Sequence, residues 1–353
     1  MMLFFRQGCH GVDLFFVLSG FCLSYPALRR LRANHSADFN TTGYLAKRFV
    51  RIVPPYYAAI ALFVALLVLL PRLGLTLPIP PTQPFSWFGV VENALFLDGN
   101  GQYLNGSFWT LAVEFRWYFL FPIALWLWTR SPRAFLLCLG LVMLGLVTRL
   151  NSIDLMALPA FMLGIVAADL HVRESRLSRL ALPVFLFVLY WAVVTTRYDW
   201  MNPPSILWQL TSFLFVVAAG ATPWLSRLLS VRFLTFLGIA SYSIYLVHEP
   251  IVILLQRHGI NPLLASSCAL AAGLIFWAVA ERPVVETTLR SKLIAQFDFL
   301  PRWFAAVGIG GSLHVDERGR AAEPARIPPR PAPVRSSVPL ETALVAQPAG
   351  DAT

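Results

Sequence analysis

Charge is scarce in this chain. Only 13% of its 353 residues are Asp, Glu, Lys or Arg, whereas 57% are hydrophobic. Soluble domains carry about 25% charged and about 45–50% apolar residues. With a mean hydropathy of +0.65, the composition excludes an ordinary soluble domain and points to an integral membrane protein. The common catalytic signatures are missing as well. There is no GxSxG elbow, no Walker loop and no HExxH pair, which removes the usual serine-hydrolase, nucleotide-phosphate and zinc-protease readings. Cysteine is sparse. Cys9, Cys22, Cys138 and Cys268 are scattered without a CxxC pair, so they read as small core residues and no metal site is expected. The opening MMLFFRQ also lacks the basic start, apolar stretch and small-residue cleavage site of a signal peptide.

What the sequence does have is long apolar runs. A bilayer-spanning helix needs about 20 mostly apolar residues, and about nine such runs occur here. They lie near Val12–Ala27, Val53–Leu70, Phe108–Trp128, Ala134–Val147, Leu155–Leu170, Leu180–Val194, Ile206–Ala221, Phe233–Leu255 and Pro262–Ala280. The expected fold is an all-α, polytopic membrane helix bundle over residues 1–292. Beyond it, RIPPRPAPVRSSVP and its neighbours cannot bury a core. Residues 293–353 are therefore expected to form a mostly disordered cytoplasmic tail.

The net charge of +10 raises the question of nucleic acid. The positive residues, however, cluster in alternate loops: Arg29, Arg30 and Arg32; Lys47, Arg48 and Arg51; Arg130 and Arg133; Arg173, Arg176 and Arg179; Arg227 and Arg232; Arg282, Arg290 and Lys292. If these loops face the cytoplasm, every span alternates correctly under the positive-inside rule. The basicity is then topological, and no nucleic-acid partner is expected. The same topology places Met1–His10 outside and sends the first span inward, so a further helix is expected to precede it. The longest outer loop, Pro71–Ser107, exceeds an ordinary connector and is expected to cover or line a site.

Ionisable residues inside spans are costly and point to function by default. Asp13 lies at the outer end of the first span, just after His10. Glu114 lies six residues into the third, roughly 9 Å deep. His248 and Glu249 fall in the outer half of the eighth. Carboxylates and imidazoles at similar depth on different helices are the equipment for moving a proton to and from a hydroxyl. On the opposite side, Arg48 and Arg51 share a helix face three residues apart, a pair suited to binding phosphates. Each has a plainer reading. Asp13 also suits a helix cap, Arg48 and Arg51 suit topology anchors, and His248 suits a hydrogen bond between helices. Glu114, set in WTLAVEFRWYF with Arg116 pointing elsewhere at i+2, is the hardest to read as structural. His35, His171, His258 and His314 read as solvated loop or tail residues.

Five stretches, in order, resemble the membrane acyltransferase-3 family, which includes the bacterial O-acyltransferases of surface polysaccharides. GVDLFFVLSGF is similar to that family's early helix. KRFVRIVPPYY resembles its basic motif, with Lys47 where Arg is more usual. SFWTLAVEFRWYFLFP looks like its Trp-Ser-Leu-x-x-Glu stretch, with Thr110 in place of Ser and Glu114 kept. SYSIYLVHEP and AERPVVE resemble its closing motifs. The matches run from His10 to about Glu286.

The resemblance implies a bundle of about ten helices in the bacterial inner membrane. It implies no bound cofactor but a co-substrate, acyl-CoA (commonly acetyl-CoA), entering from the cytoplasm. The acceptor would be a glycan, lipid or small molecule held near the outer face. In that frame Arg48 and Arg51 hold CoA phosphates or stabilise the inner mouth. The Ser19-Gly20 pair lets the thioester arm pass close to a helix backbone. Glu114 orients or deprotonates a catalytic partner or the acceptor, with Asp13 and His248 as further acid/base groups, and Trp109 and Tyr245 shape the acceptor side. The family's preceding helix carries an Arg and a His taken as catalytic base, and its match is not in this sequence. Two expectations remain: an acyltransferase in which His10 substitutes or the helix lies upstream, or a non-catalytic membrane partner or export helper.

Overall fold

A backbone inside lipid has no water to bond to, so apolar runs close their hydrogen bonds on themselves as helices. The computed structural model describes residues 10–34, 39–74, 87–97, 104–147, 153–195 and 206–286, and among these there is helix and connection but no strand. The chain runs through α1 (Gly11–Asn34), α2 (Thr41–Leu69), the short α3 (Trp87–Ala94), α4 (Phe108–Arg130), α5 (Pro132–Val147) and α6 (Ile153–Val172). It continues through α7 (Ala181–Thr195), α8 (Ile206–Ala221), α9 (Pro223–Leu229), α10 (Arg232–Arg257) and α11 (Pro262–Phe276). A π-helical turn, Trp277–Glu281, then leads into α12 (Arg282–Val285). The expected tail from residue 293 lies outside the described residues, as do Met1–Cys9 and much of the long loop.

The chain is an all-α, multi-pass membrane bundle. Among the described residues seven helices are long and apolar enough to cross a membrane, and the bent pair α8–α9, broken by 102°, makes an eighth. The expectation of about nine spans counted α5 as the other. Its apolar part, Pro132–Gly145, falls among the shorter helices. At 16 residues and about 1.5 Å each, α5 reaches only about 24 Å of a roughly 30 Å core. Large apolar side chains such as Leu137, Leu141, Phe187, Tyr190, Leu263 and Ile275 are exposed on the outer helices, as a lipid-facing surface requires.

Two helix ends differ from the sequence expectation. α1 does not stop near Ala27 but runs past Pro26 to Asn34, where Arg32 in the last turn suits the negative end of the helix dipole. α2 starts at Thr41, twelve residues before the expected Val53. Asn40 caps it, its Oδ1 accepting Gly43 N at 2.7 Å. The Pro54–Pro55 pair lies inside the helix. These prolines have no N–H to give to the preceding turn. Close by, the Tyr242 hydroxyl of α10 donates to the Ile52 carbonyl at 2.9 Å. The carbonyls the prolines leave without that bond are those of Val50 and Arg51, so the Tyr242 contact ties α10 to α2 and does not replace it.

α1 and α6 cross with almost no side chain between them. A Cβ on Gly20 would meet Phe161 O, with Phe161 C at 3.1 Å and Gly164 Cα at 3.2 Å, and a Cβ on Gly164 would meet Val17 O and Phe21 N. Small residues on both faces let two membrane helices approach backbone to backbone. At one end of this pair Asp169 is buried and accepts from Arg32 at 3.4 Å and Arg173 at 2.6 Å. His171 is not solvated as expected. It packs in the last turn of α6 against Tyr25 and Phe21, with ring centroids 5.4 and 6.0 Å away.

Candidate active site

Glu114 sits two turns into α4 and is 5% exposed. Its Oε1 accepts the Ser19 Oγ of α1 at 2.8 Å. Tyr118, one turn further along α4, lies beside the same carboxylate. The i,i+4 spacing puts both residues on one face. Ser19 reaches Glu114 because its neighbour Gly20 lets α1 lie flat against α6. The space beside Gly20, expected to pass a thioester arm, is filled by the backbone of α6. Gly20 is a helix contact, and Ser19 is the member of the pair that faces polar groups.

Arg48 and Arg51 join this centre. Both guanidiniums act electrostatically on the Glu114 carboxylate. The sequence put them at a helix start, on the far side of the membrane from the acid/base residues. With α2 beginning at Thr41, Arg48 is seven residues in and Arg51 ten, about 10 and 15 Å along the axis. Tyr44, Arg48 and Arg51 at i, i+4 and i+7 line one face of α2. The Arg48 guanidinium stands 6.0 Å from the Tyr44 ring and 5.9 Å from the Tyr118 ring, within cation–π range of both. The Tyr44 hydroxyl is buried without a hydrogen-bond partner. Lys47 points away and is exposed.

The other acid/base candidates do not converge on Glu114. His10 and Asp13 pair with each other, Nδ1 to Oδ2 at 3.1 Å. The His10 ring stacks on Trp208 of α8 at 4.5 Å, and the neighbouring Gln209 gives its Nε2 to the Met156 carbonyl at 2.7 Å. Asp13 is six residues before Ser19, about 9 Å away along α1 and on another face. His248 is occupied locally, its Nδ1 lying 2.8 Å from the Tyr245 carbonyl of its own helix. Glu249 instead accepts Ser107 Oγ at 2.7 Å. Tyr245 comes closer to the centre. Its hydroxyl is 2.6 Å from Thr110 Oγ1, one turn before Glu114, and its ring stacks on Phe15. Trp109 is half-buried against the core. Among the described residues no three His, Cys, Asp or Glu side chains are grouped to hold a metal ion.

Tyr44, Tyr118 and a second buried carboxylate, Glu281, were not anticipated. The i,i+4 spacing to Glu114 would have found Tyr118. Nothing in the sequence signals that Glu281 is buried, where it accepts Ser243 Oγ at 2.6 Å. Arg116 does point away from Glu114, as its i+2 spacing required, and pairs with Asp154 at 2.7 Å.

The arrangement of a buried carboxylate, a hydroxyl and two guanidiniums handles a proton at one end and an anion at the other. The model of the acyltransferase-3 family, an acyltransferase domain, matches residues 2–282. The chain belongs to that family. It is similar to the peptidoglycan O-acetyltransferase OatA of Listeria monocytogenes, 25% identical over 285 residues, which are 70% of this chain and 46% of the relative. It is also similar to the O-acetyltransferase OatA of Staphylococcus aureus strain NCTC 8325, 23% identical over 335 residues, 84% of this chain and 55% of the relative. The chain thus spans about half the length of these relatives. No solved structure matches it significantly. The family match covers the stretches that carried the resemblance, including the one around Glu114, up to Arg282, the third residue of AERPVVE.

Proposed function

We propose that this chain is a bacterial cytoplasmic-membrane O-acetyltransferase that moves an acetyl group from acetyl-CoA to a hydroxyl of an envelope glycan. The observation that carries the reading is the Glu114 centre, where Ser19 binds one carboxylate oxygen at 2.8 Å and the charges of Arg48 and Arg51 bear on the same group. In the transfer, the acceptor oxygen forms a bond to the acetyl carbon, the carbon–sulfur bond breaks, and the acceptor proton ends on the departing CoA sulfur. Glu114 orients the acceptor hydroxyl and takes part in moving its proton. Arg48 and Arg51 meet the negative charge of the donor, Arg48 from beside the Tyr44 and Tyr118 rings. Tyr245 and Trp109 lie toward the acceptor. A glycan acceptor is favoured because both relatives are named as O-acetyltransferases, one of them of peptidoglycan.

The test is transfer of label from acetyl-CoA, radiolabelled in the acetyl group, into envelope polymer by membranes containing the chain. Base-labile label in the polymer, absent from membranes without the chain, is the expected result. Properly inserted protein that transfers no label to any acceptor would favour the non-catalytic partner instead.

A further inference from the structure

Pro250 lies buried inside α10. It has no N–H, so the carbonyl four residues back, that of Leu246, loses its helix bond. Leu246 is fully buried, and a buried carbonyl without a partner is costly. The partner comes from outside the helix. Asn105 Nδ2 donates to the Leu246 carbonyl at 2.6 Å. Asn105 is itself 1% exposed.

Asn105 stands near the end of the long loop, two residues before the N-cap of α4. Its Oδ1 accepts the Ser107 N–H at 2.9 Å. One contact needs a donor and the other an acceptor, which a side-chain amide supplies together. Two further contacts continue the seam between α4 and α10. Ser107 Oγ donates to Glu249 at 2.7 Å, and the Thr110 and Tyr245 hydroxyls are 2.6 Å apart. A Cβ on Gly106 would meet the Glu249 carboxylate, its Cδ at 2.8 Å, so a glycine lets the loop lie against α10. Thr110 is one turn before Glu114.

We propose that Asn105 is a positioning residue whose amide takes the place of the helix bond that Pro250 removes, and so holds the N-terminal end of α4, with Thr110 and Glu114, in register with Tyr245. Its effect on transfer rests on the roles given above to Glu114 and Tyr245. Its hold on the Leu246 carbonyl does not.

The test is a double-mutant cycle on the full chain in membranes. It is read by melting after detergent extraction and by transfer of acetyl label from acetyl-CoA to envelope polymer per folded molecule. Asn105→Asp keeps the acceptor for Ser107 but removes the donor to Leu246. It is expected to melt about 5 °C earlier. Transfer should slow about tenfold, with the KM for acetyl-CoA within about twofold. Pro250→Ala returns an N–H to the Leu246 carbonyl. In that background Asn105→Asp should cost under about 2 °C and under about twofold in rate, because both changes act on one carbonyl. Asn105→Ala, which adds no charge, should regain about half of its melting loss there, since the Ser107 bond stays lost. Equal losses in both backgrounds overturn the proposal. So does an equally large rescue of Ser107→Ala, which breaks only the tie to Glu249. Rescued melting with wild-type transfer per folded molecule in Asn105→Asp reduces the contact to a structural tie and refutes the positioning. A wild type that transfers no label, with the melting cycle as expected, leaves the hold on Leu246 standing and removes the acetyltransferase reading.

Discussion

Replacing Gly20 or Gly164 with alanine places a methyl group where only backbone atoms lie. At Gly164 the new Cβ would meet Phe21 N at 2.7 Å and Gly20 Cα at 2.9 Å, and at Gly20 it would meet Phe161 C at 3.1 Å. None of these atoms swings aside as a side-chain tip would. The helices must part, and restoring ordinary contact takes a shift of order 1 Å, with an overpacking cost of about 1–3 kcal/mol. The Ser19–Glu114 bond, at 2.8 Å, tolerates only about 0.7 Å before it is lost near 3.5 Å. Each variant is therefore expected to melt earlier. Each should also lose acetyl transfer beyond its loss of folded protein, toward the roughly hundredfold that a 1 Å misplacement brings. The assay pairs thermal unfolding in detergent, followed by size-exclusion fluorescence, with label transfer per folded molecule. Wild-type melting and wild-type transfer in both variants would refute the claim that this close crossing positions Ser19.

Three further outcomes rest on single contacts. Arg48→Lys replaces a planar guanidinium beside two tyrosine rings with a point charge, and the KM for acetyl-CoA should rise about tenfold with a smaller change in kcat; an unchanged KM would remove Arg48 from the donor contact. Asp169→Asn weakens the buried tie between Arg32 and Arg173, with an expected loss of about 1–3 kcal/mol of stability but unchanged transfer per folded molecule, measured in the same two assays. Tyr245→Phe deletes the 2.6 Å contact to Thr110 and should lower stability by about 1 kcal/mol, an effect absent when Thr110 is already valine.

Helix content and most spans were legible because lipid enforces one rule, apolar length, and that rule is written plainly in the sequence. What misled was the polar end of a helix: α1 continues past the apolar run through Arg29, Arg30 and Arg32, and α2 begins twelve residues before Val53, through Lys47, Arg48 and Arg51. The error over α2 carried into the site. Reading Arg48 and Arg51 at a helix start put them across the membrane from Glu114, whereas a helix from Thr41 brings them to it. Glu114 itself was legible, as a charge with no local partner. Grouping it with Asp13, His10 and His248 by depth was not enough, because depth fixes one coordinate and the helix face fixes the other. The role of Gly20 was open to misreading for a similar reason: a glycine beside a serine signals close approach but not what approaches. Glu281 was hidden because its direction depends on a π turn, which leaves no periodic trace in the residues.

The central claim is that Glu114 and the groups around it form the reacting centre, and Glu114→Gln tests it most directly. The substitution preserves volume and an acceptor for Ser19 while removing the carboxylate. With wild-type membrane insertion and melting, the variant is expected to lose at least about a hundredfold in acetyl transfer. A well-inserted Glu114→Gln protein that transfers acetyl groups at the wild-type rate would contradict the account.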